Sequence, residues 1–359
     1  MFKEIIKYGE AEAVYKEKEV LSRKPRLTNL FWEATLRCNA NCKHCGSRAG
    51  ENVNINAELT TQEIENTLKS ISEKYDARKI QINVTGGEPL LRKDLFEVMK
   101  YAKQLGFYWS ITTNGILITD EIIKSFKETE ISTMSISIDG LESTHNKFRG
   151  LNCYSKIIEN IKKVKKSDLN VILQITTVTN KSNINELEKI YEVVKELNID
   201  SWRILNIDPI GRAKDNKNLE LDSEDYKYLI NFIKEKRKKS KFEVTYGCAH
   251  FLGIKYEKEV RTNMYMCYTG LTVGSILYNG DIFVCPNVER RPELIQGNVR
   301  KDNFVEIWEN KFEFFRNLEK FKCGKCDKCE DWKYCLGGAF HTWDFENEEQ
   351  QICLKEILN

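Results

Sequence analysis

The sequence has no run of about 18 consecutive apolar residues, the length a membrane-spanning helix requires. Its opening residues, Met1-Phe2-Lys3-Glu4-Ile5-Ile6-Lys7, place charges where a secretory signal would be apolar. A cytoplasmic protein without membrane contact is expected. An excess of one charge is also missing: 56 Lys and Arg against 54 Asp and Glu leave a net +2, which gives no electrostatic case for a nucleic-acid partner. Runs such as Lys162-Lys163 with Lys165-Lys166, and the lysines between 234 and 241, read as solvated faces. Histidine is scarce. Of four, only His44 has a motif context, and His145, His250 and His341 read as polar partners inside loops. Neither a low-complexity linker nor an internal repeat beyond a strand-helix period is present.

What the chain does have is cysteine, twelve residues clustered toward both ends. In a reducing compartment that pattern points to metal ligands rather than disulfides. Cys38, Cys42 and Cys45 follow directly on the apolar stretch Leu30 to Leu36. Iron-sulfur clusters are normally held by four thiolates, and a centre given one ligand fewer keeps a position open for a reactant. Zinc is the alternative for a short cysteine motif, but His44, the one local candidate for a fourth ligand, is placed too tightly between thiolates to turn back on the same metal.

Short β-branched runs alternate with amphipathic helical stretches along the middle of the chain. Strands are expected over 30–36, 79–85, 107–113, 133–139, 171–177 and 201–206. Thr60 with Glu63, and Asp94 with Glu97, each read as a capping box. The second of these helices should end at Gly106 and turn Leu95, Val98, Met99 and Ala102 inward. Repeated strand-helix units imply a parallel sheet, and six of them fit an α/β fold of the partial (β/α)6 TIM-like barrel type, with chemistry at the C-terminal strand ends. The expected division is an N-terminal extension over 1–27, the partial barrel over 28–240 and a small cysteine-rich domain over 241–359. The polar motifs fall on one rim: the three cysteines after the first strand, Gly86-Gly87-Glu88-Pro89 after the second, Asn114 after the third, and Ser137-Ile138-Asp139 at the fourth.

The spacing Cys-x-x-x-Cys-x-x-Cys, joined to Gly-Gly-Glu-Pro at the next strand end, resembles the radical S-adenosylmethionine (radical SAM) enzymes. The resemblance implies a 4Fe-4S cluster on Cys38, Cys42 and Cys45 whose open iron chelates S-adenosyl-L-methionine. It implies that Gly86, Gly87, Glu88 and Pro89 hold the methionine amino group, glycine letting the backbone approach the ligand. By the same resemblance Ser137 and Arg149 contact the cofactor carboxylate, Asn114 and Asp139 line the pocket, and Leu205 and His44 lie near the adenine. An isolated Gly-Gly-Glu-Pro would be read as an ordinary turn, and Asn114, Ser137, Asp139 and Arg149 also suit capping or turn roles.

Eight cysteines follow residue 245. Cys267-x12-Gly280-x4-Cys285, then Cys326, Cys329 and Cys335, then Cys353, resemble the C-terminal SPASM domain of peptide-modifying radical SAM enzymes, which carries two auxiliary 4Fe-4S clusters. Where that pattern continues with a cysteine, this chain has Ala339. Cys248 and Cys323 lie outside that pattern and can compensate: the expected distal cluster is then on Cys326, Cys329, Cys335 and Cys353 and the proximal one on Cys248, Cys267, Cys285 and Cys323, giving three clusters in all. Cys248 also suits a buried core thiol. Zinc ribbons are the structural alternative for the array.

The resemblance implies reductive cleavage of S-adenosylmethionine and abstraction of a hydrogen atom from a substrate by the 5′-deoxyadenosyl radical. Ribosomally synthesised precursor peptides are the expected substrates, with a thioether or carbon-carbon crosslink as product. A flavodoxin- or ferredoxin-type donor would supply electrons. About 28 residues precede the barrel, too few for the peptide-recognition domain many such maturases carry, so a separate recognition protein is expected. Rival readings are modification of a haem or other small-molecule precursor, formylglycine formation, and peptide epimerisation with Cys153 as hydrogen donor. Pro286 stands where sulfatase maturases carry aspartate. A non-catalytic electron carrier would not need Gly86 to Pro89.

Overall fold

The computed structural model describes residues 2–247 and 250–359. Cys248, expected as a proximal-cluster ligand, lies outside the described residues. Helix α1 (Phe2–Arg23) precedes the units β1 (Asn29–Thr35), α2 (Thr61–Lys74), β2 (Gln81–Gly86), α3 (Leu95–Leu105), β3 (Tyr108–Thr113), α4 (Asp120–Glu128) and β4 (Thr133–Ser137). They continue through α5 (Glu142–Arg149), α6 (Tyr154–Lys166), β5 (Ile172–Thr179), α7 (Leu187–Glu196), β6 (Ser201–Asn206), α8 (Ser223–Lys239) and β7 (Glu243–Tyr246). All six expected strands are present. Strands β1 to β7 pair in parallel and in sequence order.

The sheet extends beyond those six strands at both edges. β7 adds to β6, and on the other side β8 (Val273–Ile276) pairs in parallel with β1, followed by the antiparallel β9 (Asp281–Phe283) and β10 (Gly297–Asn298). One open ten-stranded sheet therefore runs across the boundary expected at residue 240.

Strand periodicity explains how this sheet makes a site. Leu30, Trp32, Ala34, Ile82, Val84, Trp109, Ile111, Met134, Ile136, Leu173, Ile175, Trp202 and Ile204 alternate along β1 to β6 and are buried. Residues of the opposite parity are polar and bonded to one another: Ser110 donates to Asn83 at 2.9 Å, and the Ser135 and Thr176 hydroxyls meet at 2.8 Å. Successive side chains in a strand point to opposite faces, so the apolar set packs under the helices while the polar set lines the concave side. In α3 the residues Leu95, Val98, Met99 and Ala102 are buried and the helix ends at Gly106, as its periodicity requires.

The Thr60–Glu63 capping box forms. The one expected at Asp94 does not. Asp94 starts α3 without a capping bond; its carboxylate instead accepts from Arg92 Nη2 at 2.8 Å and from Thr61 at 2.6 Å. Arg92 is buried 5.0 Å from the Trp32 ring, and a charge there requires a counter-ion. Among the described residues no helix is long and apolar enough to cross a membrane.

Candidate active site

The polar strand faces end in a cavity of about 260 Å³ at the C-terminal rim. Glu33, Thr85, Thr112, Ser137, Thr176, Arg203 and Leu205 line it from successive strands, and Cys38, Cys42, His44 and Cys45 close it from the loop after β1. Gly86, Gly87, Asn114 and Arg149 complete the set expected from the sequence that borders this space. Glu88, Pro89 and Asp139 are buried behind the wall.

The cysteine loop has no regular secondary structure, so its shape depends on its neighbours. Asn41 and Lys43 donate their amides to the carbonyls of Arg149 and Phe148 at 3.2 and 3.0 Å. Arg212 Nε donates to the Cys42 carbonyl at 2.8 Å, and its amide donates to the Cys45 carbonyl at 3.0 Å. Asn114 donates to Asn39 Oδ1 at 2.7 Å. The His44 ring stacks on Phe148 with centroids 4.3 Å apart, and burial pushes its pKa down to about 4, which keeps it neutral. Burial also pushes the Cys38 thiol up to about 11. Isolated thiolates are disfavoured here, and thiolates paired with a cationic iron centre are the chemical form this cradle suits.

Gly86 and Gly87 are needed for a reason other than ligand approach alone. A Cβ at Gly86 would lie 2.1 Å from the Thr35 carbonyl oxygen, and one at Gly87 would lie 2.2 Å from that of Arg37. The pair lets the end of β2 pack on the chain leading to Cys38. Glu88 then turns inward: its carboxylate accepts from Thr113 Oγ1 at 2.8 Å, from the Asn114 amide at 2.8 Å and from the Leu90 amide at 3.1 Å. Burial raises its pKa against those bonds.

Residues 32–194 match the radical SAM superfamily, and residues 267–330 match the SPASM iron-sulfur cluster-binding domain. An AdoMet-dependent heme synthase from Methanosarcina barkeri is 32% identical over 352 residues, which is 93% of this chain and 97% of that relative. This chain is a radical SAM enzyme with a SPASM domain. A mycofactocin maturase, MftC, of Mycobacterium tuberculosis is 26% identical, covering 86% of this chain and 77% of that one. Streptococcus suis SuiB, solved with S-adenosylmethionine, superposes with a TM-score of 0.74 over 92% of this chain and 78% of SuiB; at 17% identity the likeness is one of fold.

In the SPASM domain, Cys326, Cys329, Cys335 and Cys353 line one small cavity of about 40 Å³. Lys355 Nζ lies 3.6 Å from Cys329 Sγ. Burial pushes the Cys326 thiol up to about 11, with the neighbouring Cys353, Cys329 and Cys323 adding to it. Four thiols around one cavity form a donor set that fits a four-iron cluster. Cys267 is buried, and Cys285 leads into Pro286 and Asn287, which border the active-site cavity. Cys323 Sγ donates to the Glu348 carbonyl at 3.1 Å on the side of Cys326. Among the described residues, no three His, Cys, Asp or Glu side chains form a group that could hold a single metal ion.

Arg212, Arg203 and Glu33 were not singled out in the sequence. Arg203 and Glu33 carry the inward parity of β6 and β1, a signal the strand pattern contains. Arg212 sits beyond β6 in a short 3-10 helix (Gly211–Asp215), and only its bonds to the cysteine loop identify it. Cys153 is 4% exposed, 3.6 Å from His145 Nε2, and is absent from the cavity lining.

Proposed function

We propose that this radical SAM enzyme acts on a haem precursor, an iron porphyrin bearing carboxylate side chains, abstracting a hydrogen atom from a side chain of that substrate. The observation that carries this reading is the full-length likeness to the heme synthase of Methanosarcina barkeri, which spans the barrel and the SPASM domain together. Arg149, Arg203 and Arg212 line the active-site cavity against Glu33, and Arg48, Lys214 and Arg290 line the neighbouring cavity of about 210 Å³ against Glu289. Arg149 pairs with Asp139, Arg212 with Glu51, Arg48 with Asp215, Lys214 with Glu289 and Arg290 with Glu33, so this charge orders the walls of the two cavities.

When bound, a four-iron cluster at Cys38, Cys42 and Cys45 would supply the electron that cleaves S-adenosylmethionine to a 5′-deoxyadenosyl radical. The chain's own residues orient and enclose. Gly86, Gly87, Asn114 and Ser137 present polar groups along one wall, Arg212 and Arg149 fix the cysteine loop, and His44 with Leu205 supplies the apolar side of the space. The two SPASM cysteine sets are proposed to hold auxiliary clusters that take up the electron released by an oxidised substrate radical, with a flavodoxin- or ferredoxin-type donor priming the first cluster.

Peptide crosslinking, the first expectation from the sequence, is the second reading, and the mycofactocin maturase relative favours it. Anaerobic incubation of the iron-reconstituted enzyme with S-adenosylmethionine, dithionite and an iron porphyrin carrying propionates should yield 5′-deoxyadenosine in proportion to an altered porphyrin mass. Formation of 5′-deoxyadenosine that depends on a precursor peptide and ignores the porphyrin would transfer the assignment to the second reading.

A further inference from the structure

Leu205 has unequal neighbours on the concave face of the sheet. It is the partner of Val178 in β5, and the register of β6 with β7, which pairs Arg203 with Thr245 and Ile204 with Tyr246, brings Gly247 beside it on the other side. Residues opposite each other on one face of a sheet meet through their side chains. Val178 fills its place: it borders the active-site cavity and packs on the apolar cluster of Phe148, Ile207, Ala213 and Leu219. Gly247 leaves its place empty, and Leu205 leans into it. A Cβ on Gly247 would fall inside the Leu205 Cδ2 methyl and 2.9 Å from Leu205 Cγ, with the Ile204 carbonyl oxygen at an ordinary 3.6 Å.

The backbone does not require glycine at this point. Gly247 does not take a positive φ, and its amide donates to the Ile204 carbonyl at 2.8 Å, so the sheet holds the strand end in place. An alanine here would suit the chain and conflict with one side chain. With Val178 on the far side, the direction left to that side chain is the active-site cavity, which Leu205 already lines.

The chemistry of the cavity says what a displaced Leu205 would meet. Val178 and Leu205 stand side by side, and the His44 ring stacks on Phe148, the residue at the centre of the cluster on which Val178 packs. These groups make an apolar patch in a cavity whose other walls carry the three cysteines, Asn114, Ser137 and the arginines. S-adenosylmethionine divides in the same way, into a charged amino-acid sulfonium and a flat purine, and a purine buries best against apolar side chains. We propose that Gly247 is a positioning residue for S-adenosylmethionine: by leaving room beside β6 it keeps Leu205 out of the cavity and sets the width of the space that takes the purine. The proposal rests on the proposed placement of the cofactor against Leu205 and is independent of the identity of the substrate.

The test is anaerobic binding calorimetry of S-adenosylmethionine with the iron-reconstituted full-length enzyme, comparing wild type, Gly247→Ala, Leu205→Ala and the double variant. Gly247→Ala should weaken binding roughly tenfold with iron content unchanged, because overpacking drives Leu205 into the site. In the Leu205→Ala background the same substitution should alter the affinity by less than about twofold, since the methyls it displaces are gone. Equal weakening in both backgrounds would overturn the proposal, as the loss would then arise in the strand end and not through Leu205. An effect of Leu205→Ala with none of Gly247→Ala would overturn it and leave the cofactor placement standing, whereas no effect of either would remove the placement and the proposal together. Should Gly247→Ala fail to load iron, a crystal structure of the wild-type enzyme with S-adenosylmethionine decides: Leu205 lying over Gly247 with the purine packed against it supports the proposal, and a Leu205 turned off Gly247, or a purine out of its reach, overturns it.

Discussion

Arg149 binds one oxygen of Asp139 through Nη2 at 2.5 Å and Nε at 2.6 Å, while Nη1 reaches toward Cys42 Sγ at 3.7 Å. The other Asp139 oxygen accepts from the Val178 amide at 2.8 Å. Burial alone would raise the Asp139 pKa, but the Arg149 charge and the Val178 amide act against it and the carboxyl lies below its ordinary value. The ends of β4 and β5, α5 and the cysteine loop are thereby joined through one buried ion pair.

Asp139→Asn should cost about 3–5 kcal/mol, because it leaves the Arg149 charge buried without its counter-ion. Urea unfolding under anaerobic conditions measures this. A loss below about 1 kcal/mol would show that solvent reaches the guanidinium and that the pair does not fix the loop.

Glu88 braces the end of β3 from behind the cavity wall. Glu88→Ala removes an acceptor from two buried backbone amides and one hydroxyl, each worth about 1–3 kcal/mol when left unsatisfied. Asn114, the next residue around the rim, should shift as a result. The expected outcome is destabilisation by about 3 kcal/mol or more, with S-adenosylmethionine affinity measured by calorimetry falling roughly tenfold while the iron content stays constant. Unchanged affinity in a destabilised variant would confine Glu88 to the fold.

The barrel was legible in the sequence because its signals are local. Alternation at Leu30, Trp32 and Ala34, or at Trp109 and Ile111, identifies a strand without reference to anything distant. The rim motifs follow from the same rule, since a parallel sheet carries all its C-terminal strand ends on one side. The added strands were not legible. β7 has four residues and β10 two, too short for periodicity to register, and the pairing of β8 with β1 joins segments more than two hundred residues apart. Asp94 was misread because a capping box is inferred from spacing, whereas its carboxylate is claimed by Arg92, whose burial under Trp32 is tertiary.

The cysteine arrays predict a graded loss of iron. Three four-iron clusters require about twelve atoms per chain, and replacing Cys38, Cys42 and Cys45 together should remove about four and abolish 5′-deoxyadenosine formation. Cys326→Ala should perturb a different cluster, detectable by Mössbauer spectroscopy, and leave S-adenosylmethionine binding intact. About eight atoms in the wild type would restrict the SPASM domain to a single cluster, the outcome if Cys323 belongs beside Cys326 and does not replace the cysteine missing at Ala339.

Cys153→Ala should leave turnover within a factor of about three and cost about 1 kcal/mol as a small core truncation. Its thiol faces His145 in the core. Turnover in heavy water should therefore show no solvent deuterium that depends on Cys153; such incorporation would require the thiol to reach the cavity and would restore the epimerase reading.

His145 gives the fold a pH dependence of defined sign. Its ring is buried, Nδ1 accepts the Asp139 amide at 3.1 Å, and a bond to a lone pair of the neutral ring opposes protonation. Burial first, then Arg149, lower its pKa to about 4, with Asp139 acting in the opposite direction. Between about pH 6.5 and 4 the unfolded chain takes up a proton that the native ring refuses. The unfolded state binds more protons there, so this contribution to stability is fully present above about pH 6.5 and is lost progressively as the pH falls toward 4. From pH 7.5 to 5.5 the expected loss is about 1.3 kcal/mol from this residue. His145→Asn, which keeps an acceptor for the Asp139 amide and cannot protonate in this range, should show a shallower decline by that amount in anaerobic urea unfolding at the two pH values. Parallel declines in the two proteins would mean that the His145 ring protonates in the native state, and that the core around Asp139 is open to water.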